Sequence, residues 1–182
     1  MNLNSVYRNV ADKAVDAISD ISIKTGLNKF PEKIVVLPQY LLPKGVIAAV
    51  GETYDSTKTL FLNAQATYNI PYNEFKGILT HEMTHLWEMC GGKLSEILTP
   101  QNAYQEALLD GPLTDTSANE GRVNLVAKKL SEKFDYGTEI LTSAYAEATT
   151  YFSGLMSVAA KMPDVDAYHR ITDCSNCNKY GC

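Results

Sequence analysis

Apolar residues recur every three to four positions at the start of the chain. Leu3, Val6, Val10, Ala14, Ala17 and Ile21 share one face if the segment is helical, and Gly26 supplies a stop. The period then shortens. Lys33–Pro38 (KIVVLP), Val46–Val50 (VIAAV) and Lys58–Ala64 (KTLFLNA) are short apolar or β-branched runs separated by Pro, Gly and Asp-Ser. They predict three strands in a small, mostly antiparallel sheet.

From Asn73 onward the helical period returns. Asn73 can cap a helix through Phe75, Ile78, Leu79, Leu86 and Met89 that stops at Gly91-Gly92. Thr99-Pro100 can open a short helix ending at Gly111-Pro112. Ser117, with Glu120 three positions later, can cap a longer one. One further helix is expected from about Thr138 to Lys161, with Leu141, Ala144, Tyr145, Ala148, Phe152, Leu155 and Ala159 on one face. A sheet followed by a helical half is an α+β arrangement. Residues 1–165 read as one domain and residues 166–182 as a Cys-rich tail.

Composition narrows the function classes. The 182 residues are 45% hydrophobic, enough for a real core, and the net charge is -5 with no Lys/Arg-rich stripe. That balance argues against nucleic acid, whose binding rests on cations neutralising phosphates. No stretch approaches the roughly 18 apolar residues that span a membrane, and the N-terminal segment lacks the apolar run of a secretory signal. A cytoplasmic protein is the expectation, where clustered thiols more often hold metal than form disulfides.

His81-Glu82-Met83-Thr84-His85 carries the chemistry. Residues four apart lie on one helical face, so both imidazoles can reach one ion at about 2.0–2.1 Å. Glu82 is too far round the helix to join them as a ligand, but it can take a proton from water held by the metal. Zinc is favoured, although two histidines and a carboxylate also accept cobalt or manganese.

A catalytic zinc keeps three protein ligands and an open position. The extended motif with a Gly and a third His is excluded, because Glu88 and Gly91 stand at those positions. Glu106, four residues before Asp110, and Glu120, four before Asn124, are the alternatives, each with a hydrogen-bonding residue able to orient a ligating His. Burial favours Glu120, which extends the stripe Val123, Val126, Ala127, Leu130 and Phe134 by a turn; a carboxylate on an apolar face is costly unless paired or bound to metal. A capping box with Ser117 would instead turn Glu120 outward.

HEMTH with a glutamate on a later helix resembles the gluzincins, the thermolysin-like zinc peptidases. Their E-x-x-x-D pattern is approached by SANEGRVN and matched at shorter spacing by QEALLD. The stretch LFLNAQATYNIPYNEFKGILTHEMTHLWEM followed by EGRVNLVAKKL also resembles the ImmA/IrrE-type metallopeptidases, which place a strand ending in Asn before the metal helix. The resemblance covers about Leu60 to Leu130. It implies a zincin-like fold, a protein or peptide substrate added to a sheet edge at Val46–Val50 or Lys58–Ala64, and a donor to the oxyanion. Tyr145, His169 and Arg122 are the candidates for that donor.

His169, Cys174, Cys177 and Cys182 are candidates for a second, closed zinc site, with a disulfide or free thiols as the alternatives. Cys90 reads as a small buried hydrophobe and Trp87 as core. Two functions fit the residues. One is a metallopeptidase using Glu82 as base; the other is a zinc-binding interaction module without turnover, which would have no need of Glu82.

Overall fold

The computed structural model describes residues 3–162. His169, Cys174, Cys177 and Cys182 lie outside the described residues. The apolar stripe at the start forms the helix α1 (Leu3–Thr25), with Val10, Ala14, Ala17 and Ile21 fully buried. It ends where Gly26 takes a φ of 80°, a conformation that costs glycine little. Three strands follow, β1 (Lys33–Leu37), β2 (Ala48–Glu52) and β3 (Lys58–Asn63). The remaining helices are α2 (Ala64–Asn69), α3 (Tyr72–Met89), α4 (Ala103–Asp110), α5 (Thr116–Lys133), α6 (Glu139–Ala144) and α7 (Ala146–Ala159). The class is α+β, with a small mixed sheet and seven α-helices among the described residues.

The sheet order is β1-β3-β2. β2 and β3 form an antiparallel hairpin, as the Asp-Ser turn predicts. β1 pairs parallel to β3, which corrects the expectation of a mostly antiparallel sheet. Two reversals separate those strands, so they run the same way, and the turn signals between runs carry no information on which runs pair. β3 is therefore central, with Thr59, Leu60, Leu62 and Asn63 buried, and it offers no free edge. β2 does.

Asn63 closes the sheet and starts the helical half. Its Oδ1 accepts from Ala66 N–H at 3.1 Å to cap α2, and its Nδ2 donates to Val46 C=O at 3.0 Å, tying down the lead into β2. Lys13 on α1 donates from Nζ to the carbonyls of Thr67 and Ile70, both at 3.0 Å, fixing the short connection into α3. α3 then runs through the core, with Phe75 and Leu79 fully buried and Ile78 and Met83 nearly so. Among the described residues, no helix is long and apolar enough to cross a membrane.

Helix caps differ from expectation by one to three residues. Pro71 rather than Asn73 precedes α3, Asn102 caps α4 by accepting from Gln105 N–H at 3.0 Å, and Asp115 rather than Ser117 caps α5, accepting from Ser117 N–H at 2.8 Å. The last correction removes the capping box that would have turned Glu120 outward. The helix expected from Thr138 to Lys161 is two helices, α6 and α7, broken at Tyr145 (φ −119°, ψ 20°). No Gly or Pro marks that break, and tertiary contacts hold it.

The starts of both helices are anchored. Gly137 N–H donates to Asn73 C=O at 2.9 Å, and a Cβ on Gly77 would lie 1.9 Å from Gly137 C=O, so α3 and the start of α6 touch through backbone. The Glu74 carboxylate accepts from Ile140 N–H at 3.1 Å. At the other end a Cβ on Gly121 would lie 2.1 Å from Ala148 C=O, so α5 and α7 are in backbone contact as well.

Candidate metal centre

α3 presents His81 and His85 one turn apart, as the four-residue spacing requires. Their rings meet edge to face, with centroids 4.8 Å apart. α5 packs across α3 and brings Glu120 to the same point. The three atoms His81 Nε2, His85 Nε2 and Glu120 Oε2 form a triangle: 3.1 Å between the ring nitrogens, and 3.3 Å from each to the carboxylate oxygen.

That triangle tests whether a metal fits. Three ligands about 2.0–2.1 Å from one ion, at near-tetrahedral angles, stand about 3.4 Å apart. The observed sides match within a few tenths of an ångström. The donor chemistry, two imidazoles and a carboxylate, suits zinc. Among the described residues, no fourth His, Cys, Asp or Glu joins the three, so a fourth coordination position would be open to water or substrate.

The electrostatics agree with the geometry. Hydrogen bonds from the rings of His81 and then His85 hold the Glu120 carboxyl well below the usual carboxylate range, against the opposing effect of burial. Burial alone would lower His85, but the hydrogen bond with Glu120 and the charges of Glu82, Glu120 and Glu88 leave it raised. His81 is 1% exposed and its Nδ1 is buried with no hydrogen-bond partner among the described residues. Its orientation comes instead from the Tyr145 ring, which stacks on it at 4.4 Å and 18°.

Glu82 is buried beside the triangle, not in it. Its Oε2 accepts from the backbone N–H of Val50 at 2.8 Å, on the free edge of β2. One carboxylate oxygen is thus held by the sheet, and the sequence carries no sign of it because the donor is main chain. An apolar recess of about 120 Å³ opens next to Glu82 and Tyr145, walled by Val46 and Ile47 on the lead into β2 and by Ile140 and Leu141 on α6. A wider cleft of about 520 Å³ lies on the Glu120 and Tyr145 side.

The other candidates fall elsewhere. Glu106 is exposed on α4, away from the histidines; its neighbour Asp110 accepts from Ser95 N–H at 2.9 Å and Ser95 Oγ at 2.5 Å. Arg122 is 6% exposed and both its terminal nitrogens are engaged: Nη2 pairs with Glu88 Oε1 at 2.8 Å and donates to Asn119, while Nη1 donates to the carbonyls of Gly111 at 2.7 Å and Leu108 at 3.2 Å. A guanidinium spent on a helix end cannot serve a substrate. Asn124 does not orient a histidine either; it donates to Thr149 Oγ1 at 2.7 Å and Leu141 C=O at 3.4 Å. Of the three oxyanion candidates, Tyr145 reaches the centre, Arg122 does not, and His169 lies outside the described residues. Burial, then the charges of Glu82 and Glu120, push the Tyr145 phenol up, so it is a neutral proton donor at pH 7. Cys90, expected to be buried, is exposed at the end of α3.

Set against protein-family models, curated proteins and solved structures, the chain matches none.

Proposed function

We propose that this protein is a zinc-dependent peptidase of zincin-like fold. His81, His85 and Glu120 would hold the ion, Glu82 would be the general base and Tyr145 the donor to the oxyanion. The carrying observation is the 3.1–3.3 Å triangle of ligand atoms with a buried carboxylate beside it that is not itself a ligand. A metal held only for structure has no use for that carboxylate.

A zinc ion held there would supply a water with a pKa near 7 and a Lewis acid able to polarise a carbonyl. The protein's own groups do the rest. Glu82, fixed through one oxygen by Val50 N–H, has its other oxygen to take the proton from the attacking water and pass it to the leaving amine. Tyr145, neutral and stacked on His81, is within the recess that Glu82 lines and can donate to the developing oxyanion. β2 is an edge strand running past Glu82, which takes its Val50 N–H, so an extended peptide pairing with the rest of that edge would bring its main chain to the base. The 120 Å³ recess would take a small apolar side chain; a cavity of about 150 Å³ just holds benzene.

Glu82→Gln is the test. Zinc content should match the unaltered protein, while hydrolysis of a fluorogenic peptide pool falls by about 10²–10⁴-fold. A variant that cleaves as well as the original would leave the zinc-binding interaction module as the better reading.

A further inference from the structure

Tyr145 sits in a break between two helices that no proline or glycine marks, although Thr149 of α7 back-bonds to its carbonyl. The main chain there has no proline and no glycine, and Ala144 and Ala146 on either side favour a continuous helix. Two neighbours meet it there: α3, whose His81 stacks on the Tyr145 ring, and α5, whose Asn124 lies under the main chain.

Gly121 lets the α5 and α7 backbones touch, and Asn124, one turn further along, is fully buried beneath the break. Its Nδ2 donates to two groups. One is the Leu141 carbonyl at 3.4 Å, which also receives the Tyr145 N–H at 3.2 Å. The other is Thr149 Oγ1 at 2.7 Å, whose own proton goes to the Tyr145 carbonyl at 2.8 Å. The N–H and the C=O of Tyr145 are therefore each linked to the same amide through one intermediate group. The arrangement also requires that residue type. A carbonyl accepts only, and the Thr149 hydroxyl has already given its proton away, so both partners need a donor. A carboxamide has two; a carboxylate has none.

We infer that Asn124 is a positioning residue for Tyr145: it brackets the α6–α7 break from below and so holds the phenol against His81. One helix would then serve the centre twice, with Glu120 toward the ion and Asn124 toward the proton donor. The inference rests on the proposed function only in giving Tyr145 a role there; its placement of the ring does not.

The test uses full-length protein loaded with cobalt, whose visible absorption reports binding of acetohydroxamate at the metal. Tyr145→Phe should weaken that binding by about tenfold or more, the loss of one hydrogen bond to a charged group. Asn124→Ala should weaken it by a comparable factor. The double variant should lose no more than either alone, because both act through one phenol. Cobalt stoichiometry should stay unchanged throughout. Thr149→Val cuts the same bracket from α7 and covers the case in which Asn124→Ala does not fold. Asn124→Asp should be worse than alanine, and Asn124→Ala should lower kcat more than it raises KM.

A readout without metal separates the two readings. In metal-free protein, nitration of Tyr145 by tetranitromethane, located by mass spectrometry, should rise in Asn124→Ala and Thr149→Val. Additive losses in the double variant, or Tyr145 protected as before in both bracket variants, would overturn the inference. Failure of the unaltered protein to bind cobalt would instead overturn the proposed function, and the nitration result would still decide whether Asn124 holds the ring.

Discussion

α4 and α5 carry the same pattern four residues apart, Glu106 with Asp110 and Glu120 with Asn124, and they use it in opposite ways. On α5 both residues turn inward. Glu120 meets the two histidines and Asn124 reaches the break at Tyr145. On α4 the glutamate faces solvent, and Asp110 is bound to Ser95 in the turn before the helix. Spacing puts two side chains on one helical face, but which face meets α3 is decided by packing. α5 has five buried apolar residues, namely Ala118, Val123, Val126, Ala127 and Leu130. α4 is only two turns long, with Leu109 its one fully buried side chain. The helix with the stronger apolar face carries its glutamate inward, and the weaker one becomes a strut.

Removing each glutamate in turn separates the two helices most strongly. Glu120→Ala takes one of the three proposed ligands, and its effect should exceed the 10–100-fold loss typical of outer-shell partners, leaving no zinc after dialysis against a mild competitor. Glu106→Ala should hold zinc one to one, like the original. If both variants kept their metal, Glu120 would be no ligand. If Glu106→Ala lost it, the two helices would have been assigned the wrong way round.

The two helices are also joined, and Arg122 is the joint. It reaches from α5 to the carbonyls of Leu108 and Gly111 at the end of α4 and to Glu88 at the end of α3. Arg122→Ala strips a buried cation from four acceptors. A loss of about 3 kcal/mol is expected, the low end for one member of a buried pair, since Glu88 keeps 20% of its side chain in solvent. Urea unfolding should show the midpoint falling at constant slope. Zinc affinity should change far less than in Glu120→Ala. A loss of metal as large as that of stability would make Arg122 part of the centre after all.

What was legible beforehand follows the range of the interaction. His81 and His85 needed only helical periodicity, and Glu120 only the observation that a carboxylate continued an apolar stripe. Tyr145 was one of three equal candidates, because the distance from α3 to the α6–α7 break lies in no local pattern. Arg122 was a candidate donor to the oxyanion; only the fold shows its terminal nitrogens engaged by main-chain carbonyls, Asn119 and Glu88. The Val50 amide that holds Glu82 has no residue signature at all. The strand runs were visible, but the parallel pairing of β1 with β3 was not, since turn residues report where a chain reverses and not which segments then lie side by side.

The smallest expected effect concerns the strut itself. Asp110 accepts two hydrogen bonds from Ser95, one from main chain and one from the hydroxyl, and these join the turn after α3 to the end of α4. Hydrogen bonds to a charged group contribute about 1.5–3 kcal/mol when buried. Asp110 and Ser95 are both only half-buried, so water can replace part of what is lost and Asp110→Ala should cost about 1 kcal/mol. Asp110→Asn keeps an acceptor for the Ser95 N–H and should cost less. Neither variant should alter zinc affinity, because no bond of Asp110 leads to the histidines. That independence is the content of the comparison. A tenfold drop in affinity from Asp110→Asn, with stability nearly intact, would mean that the α4 pair contributes to the metal centre, and that α4 and α5 differ less than their burial implies.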